Sequence, residues 1–364
     1  LEVNGTAKTP ASSEFLIFTL NDTPLTSQLN HPMMKYIYLL LLVPVLWGCK
    51  SNKQEVSFIG MAQGTYYAIT YFDEQGRNLQ PEIEDFFREF DTSASIYIPH
   101  SIISRFNHND TSAVADDIFT YVFNVSTEVS EQTDGAFDIT TMPLTNAWGF
   151  GFTDSTKIDP NLIDSLLHLV NYKNVKLVNR KIVKTNPGTM LDYNAIAQGY
   201  SADMIGDMLK SKGITDYLVD VGGEVVGHGS KPDGSYWRVG IEKPTEHAGD
   251  ARSVESVVLL NNSALATSGN YRKFFIKDGV RYSHTIDPKT GYPVKHSLLS
   301  VSVLASDGIT ADAYATAFMV MGLEKSIEFL KTHPGLEAHF IYSLPKGEYK
   351  TWTSQGMEKM MVKQ

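Results

Sequence analysis

Hydrophobic positions along this chain keep two different rhythms, and the rhythms mark out its elements. Residues 56–59 are a short apolar run and residues 66–72 an aromatic and β-branched one, with Gly60 and Gly64 between them. That is the pattern of strand, turn, strand. Pro81 then opens a stretch in which Ile83, Phe86, Phe87 and Phe90 recur at helical spacing, predicting an amphipathic helix with proline in its first turn. Residues 101–107 read as a loop. Residues 111–134 predict a second helix, with Val114, Ile118, Val122 and Val125 on one face and Gly135 after its end. "GAFDITTMPLTNAWGFG" reads as a strand entering a glycine-rich loop, and residues 161–169 as a short helix. Residues 175–194 suggest a hairpin turning at Asn179 and Arg180, and residues 195–212 a helix stopped by Gly213.

Beyond Gly213 the pattern becomes strand-rich. "DYLVDVGGEVVGHG" is an apolar strand interrupted by two glycines, which fits a bulge or a close approach to the backbone. Strands follow over 236–244, 255–269, 271–275, 281–287 and 298–306. A helix over 310–322, a shorter one over 327–334 and a strand over 337–344 complete the reading. Helices and strands mix without regular βαβ spacing, and the central stretch reads as antiparallel hairpins. The predicted fold class is therefore α+β, with mixed, largely antiparallel sheets and packed helices.

The N-terminal region has a different character. Residues 37–47 are an unbroken apolar run of eleven, preceded by Lys35 and ending just before Cys49. A bilayer-spanning helix needs about 20 such residues, whereas a signal-peptide core is this short. "LWGC" resembles a bacterial lipobox, which implies cleavage before Cys49 and a thioether lipid anchor carrying acyl chains such as palmitate. The alternative is an ordinary leader followed by a free cysteine. The expected division is an upstream extension over 1–32, a lipoprotein signal over 33–48, a polar tether over 49–55 and a catalytic domain over 56–364. It places the protein in a bacterial cell envelope, anchored to the membrane on its periplasmic side.

Composition adds exclusions. The formal net charge is −10, and no lysine- or arginine-rich stripe is present, so nucleic acid is not an expected partner. A single cysteine rules out an intrachain disulfide framework and a cysteine-based zinc site. Neither a Walker A sequence nor a GxGxxG fingerprint occurs.

Four stretches could carry chemistry. In "ADAYATA", Asp312 and Thr316 stand four apart, so their oxygens share one helix face and could reach a hard cation such as Mg²⁺. Equally, Asp312 could cap a helix and Thr316 bond back to a carbonyl. Asp138 and Thr140, and Asp192 and Asn194, are either turn and cap residues or the wall of a phosphate pocket. Gly222 and Gly223, with Asp220 before and Glu224 after, could let a flat ligand approach. Ser268, Gly269 and Asn270 are turn types that present donors, and His284 runs into the rigid "DPKTG" turn as a possible proton acceptor.

Taken in order, "MAQGTYYAI", "FDITTMPL", "NAIAQGYSAD", "VDVGGEVVGHG", "WRVGIEKP", "ATSGNYRKFF", "YSHTIDPKTGYPV" and "ADAYATAFMVMG" closely resemble the ApbE family, the FAD:protein FMN transferases. The resemblance implies a Mg²⁺-dependent transfer of FMN from FAD to a threonine or serine hydroxyl of a target protein, with release of AMP. It implies Asp312 and Thr316 as Mg²⁺ ligands, joined by a backbone carbonyl of Ala195 or Ala197. Met61 would pack on the flavin or adenine of FAD. Asp220, Gly222, Gly223 and Glu224 would line the cofactor cleft, and Ser268, Gly269, Asn270 and His284 the reacting side. His284 is the expected general base, with Asp312 as the alternative. The implied partner is a flavin-acceptor redox protein of the membrane. Two departures stand out: Gln198 replaces the family's usual lysine, and "MAQGT" separates Met61 from Gly64 where the family has "MGT". The rival readings are a Mg²⁺-dependent FAD pyrophosphatase, a non-enzymatic flavin-binding lipoprotein and a structural lipoprotein.

Overall fold

A computed structural model describes residues 53–152, 159–244, 253–270, 274–277, 280–344 and 348–362. All belong to the second of two units into which the chain divides, Ser51–Gln364. The predicted leader and Cys49 lie outside the described residues.

β1 (Gln54–Ala62) and β2 (Thr65–Asp73) form a hairpin closed by Gln63 and Gly64. Both turn residues have positive φ, 51° and 73°, as a two-residue turn matched to strand twist requires. α1 (Gln80–Ala94) buries the predicted stripe of Ile83, Phe86, Phe87 and Phe90. α2 (Ile102–Asn107) occupies the predicted loop, because Ser101 caps it by accepting the Ser104 N–H at 3.1 Å and six residues are too few to display a period. α3 (Asp117–Gln132) begins later than predicted. Asp116 takes the Phe119 N–H at 2.7 Å and fixes the start, which leaves Val114 outside and exposed.

α4 (Met142–Ala147) replaces the predicted strand. The Asp138 carboxylate folds the chain there by accepting the N–H and hydroxyl of Thr140 and the N–H of Tyr172. α5 (Pro160–Leu167) and the hairpin of β3 (Val175–Val178) and β4 (Lys181–Lys184) follow as expected, with Asn179 and Arg180 in the turn at φ 49° and 58°. After α6 (Ala197–Ser211), the two glycines prove to be a turn between strands rather than a bulge within one. β5 (Tyr217–Val221) and β6 (Glu224–His228) pair across Gly222 and Gly223, at φ 70° and 110°.

β7 (Trp237–Glu242) and β8 (Val254–Leu260) make a separate ribbon, and β9 (Ser263–Gly269) rejoins the main sheet. β10 (Phe274–Lys277) and β11 (Val280–Ser283) pair with each other, so His284 stands just past a strand rather than on one. β12 (Leu298–Ala305), α7 (Gly308–Met321), α8 (Leu323–Leu330) and β13 (Glu337–Ser343) match the reading. β14 (Tyr349–Thr353) and α9 (Gln355–Met360) were not predicted, since "YKTWT" has no apolar run.

Eight strands build one antiparallel sheet in the order β1-β2-β5-β6-β9-β12-β13-β14. α1, α3, α6 and α7 cover one face, burying among others Phe87, Phe119, Ile205 and Phe318 against Ile69, Val219, Val301 and Phe340. The β7–β8 ribbon and α9 cover the other, around Trp237, Val258, Leu260 and Met357. A third, smaller core joins α4 and α5 to the turn after His284, where the Trp148 indole N–H donates to the Gly291 carbonyl at 2.7 Å. The architecture is the α+β class expected.

The membrane expectation is corrected to this extent: among the described residues no helix is long and apolar enough to cross a membrane.

Candidate functional site

α7 is apolar nearly all round and is buried on all sides, as such a helix must be. Two of its polar residues, Asp312 and Thr316, tie it to two neighbours. The Asp312 carboxylate, 6% exposed, accepts the Gly199 N–H in the first turn of α6 at 3.1 Å. The N-cap residue of α6, Ile196, has no side chain able to do this, so α7 supplies the cap. In return Asp203 of α6 accepts the N–H groups of Gly308 and Ile309 at 2.6 and 2.8 Å, capping α7 beside its own N-cap Asp307. This exchange needs contact between backbones, and Gly199 and Gly308 provide it: a Cβ on either would strike the other's carbonyl. Burial pushes Asp203 up to about 7, against the pull of its two N–H donors. Burial also raises Asp312, opposed by the Gly199 N–H and reinforced by the Asp203 charge.

The magnesium and metal-binding expectations are corrected here. Among the described residues there is no group of three or more His, Cys, Asp or Glu side chains that could hold a metal ion. Asp312 gives an oxygen to a helix terminus, and the acid whose charge reaches it, Asp203, is engaged by two N–H groups. Thr316 places its hydroxyl 3.3 Å from that of Ser268 on β9. Ala195 lies in the turn before α6 and packs on the core, and Ala197 opens the helix. The donors do not form the predicted Mg²⁺ site.

Around the start of α6 the structure gathers several expected residues. Asp220, in β5, accepts the Gly223 N–H at 2.9 Å and the Tyr66 hydroxyl at 3.2 Å. Burial lifts its carboxyl to about 6, the two donors opposing. Tyr66 is the cross-strand partner of Met61, whose side chain is 75% exposed. Gly223 faces open space, whereas Gly222 is pressed against Thr65 and the Gln198 amide. Glu224 begins β6 and is buried. Gln63, in the β1–β2 turn, takes the Ser201 hydroxyl on its carbonyl oxygen at 3.2 Å. Its amide nitrogen is buried with no hydrogen-bond partner among the described residues, at a cost of about 1–3 kcal/mol. Ser268 and Gly269 end β9 and Asn270 follows it, fixed by Nδ2 donating to the Leu298 carbonyl at 2.6 Å and by its N–H on the Leu299 carbonyl at 3.0 Å.

His284 belongs to a second group. Its ring meets Phe150 edge-on at 6.3 Å. Two residues along, Phe152 makes an edge contact with Tyr97 at 5.3 Å, and both are more than half exposed. On the approach to α6 the Asp192 N–H donates to the Ile139 carbonyl at 2.8 Å.

Sequence reasoning missed Gln63, Ser201, Asp203, Tyr97 and Phe152. The signal for Gln63 was present as the extra residues in "MAQGT"; Asp203 gave none, because an acid inside a helix reads as a solvated face. A cavity of about 380 Å³ lies apart from these groups, lined by Asp134, His168, Lys173 and Lys289 among others; of the residues singled out in the sequence it includes Asp138.

A model described as the ApbE family matches residues 63–340. A FAD:protein FMN transferase of Vibrio cholerae is 36% identical over 304 residues, covering 81% of this chain and 90% of the relative. The solved flavin transferase ApbE from Vibrio cholerae superposes with a TM-score of 0.76 at 31% identity, over 85% of this chain and 99% of that one. The apo flavinyl transferase ApbE of Pseudomonas stutzeri gives 0.75 at 32% identity, over 85% and 97%. The chain belongs to the ApbE family of FAD:protein FMN transferases.

Proposed function

We propose that this enzyme transfers the FMN half of FAD to a serine or threonine hydroxyl of a target protein and releases AMP. The observation that carries the reading is the family match over residues 63–340: it spans the two groups from the Gln63 turn to Thr316, with Met61 just before it. The reaction makes one bond and breaks one. The target's hydroxyl oxygen joins the FMN-side phosphorus, the bond from that phosphorus to the bridging oxygen breaks, and AMP leaves with the bridging oxygen. The hydroxyl proton passes to a base.

His284 is the proposed base, since a neutral imidazole accepts a proton near pH 7. The exposed Tyr97–Phe152 pair, two residues along the chain from the Phe150 that meets His284, offers an apolar platform for an aromatic ring of FAD. Met61, exposed at the end of β1, suits a sulfur contact with the second ring. The open face of Gly223, flanked by Asp220 and Glu224, admits the dinucleotide close to the backbone. Gln63 brings a donor with no partner among the described residues. Ser268, Gly269 and Asn270 are the proposed diphosphate side, and Asp312 acts through α6, which it caps, rather than on substrate. Gln198 stands near the Gly222 turn as a neutral amide.

The apolar run over 37–47 and Cys49 support processing of a leader over 33–48, a tether over 49–55 and a domain from 56 onward, held by acyl chains at the periplasmic face of the envelope. A redox protein exposed on that side is the proposed target. The test is incubation with FAD, with and without a flavin-acceptor protein, followed by a denaturing gel. Flavin fluorescence that stays on the acceptor band is expected. Free FMN in both tubes would indicate a pyrophosphatase, and unconsumed FAD a binding protein.

A further inference from the structure

His296 lies in the segment between β11 and β12 and has no part in the transfer step described above. Its Nε2 is 2.7 Å from the Met319 carbonyl at the end of α7, and its Nδ1 receives the Leu298 N–H at 3.3 Å. A carbonyl only accepts and an amide N–H only donates, so these partners fix the ring as the neutral Nε2–H tautomer. The connection continues. The Leu298 carbonyl takes the Asn270 side-chain amide at 2.6 Å, and the Leu299 carbonyl takes the Asn270 N–H at 3.0 Å. Two residues earlier on β9, the Ser268 hydroxyl meets Thr316 of α7. Gly322, the C-cap of α7 at φ 81°, brings the chain against the imidazole: a Cβ there would sit 3.4 Å from its Cδ2.

We infer that neutral His296 is a positioning residue, which locks the Ser268–Asn270 end of β9 to the end of α7, and that protonation of its ring releases this lock. The inference rests on the proposed role of Ser268–Asn270 in transfer. A second proton on Nδ1 would face the Leu298 N–H donor to donor, so the charged ring cannot keep both bonds. Burial already disfavours charge there, with the Met319 carbonyl, the residue's own carbonyl and Glu324 of α8 pulling the other way. The exposed Lys295, next along the chain, is the other charged neighbour; the last turn of α7, β9 and β12 contribute neutral residues.

The test follows the backbone amides of Leu298 and Asn270 by NMR between pH 8 and pH 4.5, in the full chain and in His296→Asn. Asparagine retains an acceptor for the N–H two residues on and does not titrate. The two amides are expected to shift together at the midpoint of the His296 ring, below its ordinary 6.5, and to stay flat in the variant. Activity supplies the second readout. With His284 and His296 both required neutral, the acid limb of kcat falls by up to about a hundredfold per pH unit, and by about tenfold in His296→Asn. Amides that ignore the ring's titration, or an acid limb unchanged in the variant, would overturn the inference. Absence of transfer in every sample would instead count against the proposed function, while the NMR titration would still decide the lock.

Discussion

Replacing Gly199 with alanine tests the crossing on which the site is built. A Cβ at this position stands 2.6 Å from the Gly308 carbonyl carbon and 2.8 Å from the Asp312 Cβ. Neither neighbour is the tip of a flexible side chain, so α6 and α7 must part. Such overpacking costs about 1–3 kcal/mol. Separation also stretches the Gly199–Asp312 bond and the two Asp203 bonds, each a hydrogen bond to a charged or acidic group worth about 1.5–3 kcal/mol when intact. Against this, alanine gains about 0.5–1 kcal/mol over glycine inside a helix. The balance is a loss of about 2–4 kcal/mol, or about 3–6 °C in Tm for a domain of this size. Urea unfolding followed by circular dichroism reads the loss, with the exposed Ser211→Ala as a control within about 0.5 kcal/mol. Gly308→Ala opens the same gap, so the double variant should cost less than the sum of the two. A Gly199→Ala protein within about 0.5 kcal/mol of the parent, or strict additivity, would refute the contact.

Three further outcomes are expected. Asp220 has a folded pKa of about 6, above its unfolded value, so the stability it adds is complete below about pH 4 and disappears as pH rises through 6; the stability of Asp220→Asn relative to the parent should improve by about 1–3 kcal/mol across that window, and a flat difference in unfolding curves would remove the buried-carboxyl account. His284→Gln should lower kcat by about 10²–10⁴-fold with FAD binding intact, and near-normal turnover in a stopped assay would dismiss it as the base. Tyr97→Ala should raise the KM for FAD about two- to tenfold with Tm unchanged; an unaltered KM would dissociate the exposed aromatic pair from FAD binding.

The sequence made some parts of this fold legible and hid others for physical reasons. The α1 stripe was readable because four apolar residues repeat at 3.6 spacing over a long helix, and the β3–β4 turn because Asn179 and Arg180 lie between two short apolar runs. α2 and α4 were not, since helices of six residues are set by capping and by the Asp138 fold-back, which leave no period. The paired glycines announced a special backbone but not whether it was a bulge or a hairpin turn; only the pairing of Val221 with Glu224 decides that. At the site, the spacing of Asp312 and Thr316 correctly placed them on one helix face. Their partners came from residues over a hundred and about fifty positions away, Gly199 and Ser268. Spacing within one helix carries no information about such neighbours, so a cap supplied across helices looked like half of a metal site.

The central claim is that the acceptor's own hydroxyl oxygen becomes bonded to the FMN phosphorus as AMP departs. Intact-mass analysis of an acceptor protein after reaction with FAD, with AMP counted in the same tube, measures both halves at once. The account predicts an acceptor heavier by a single FMN on a serine or threonine peptide, with AMP released in equal amount. An acceptor of unchanged mass, beside free FMN and AMP in equal amounts, would contradict it.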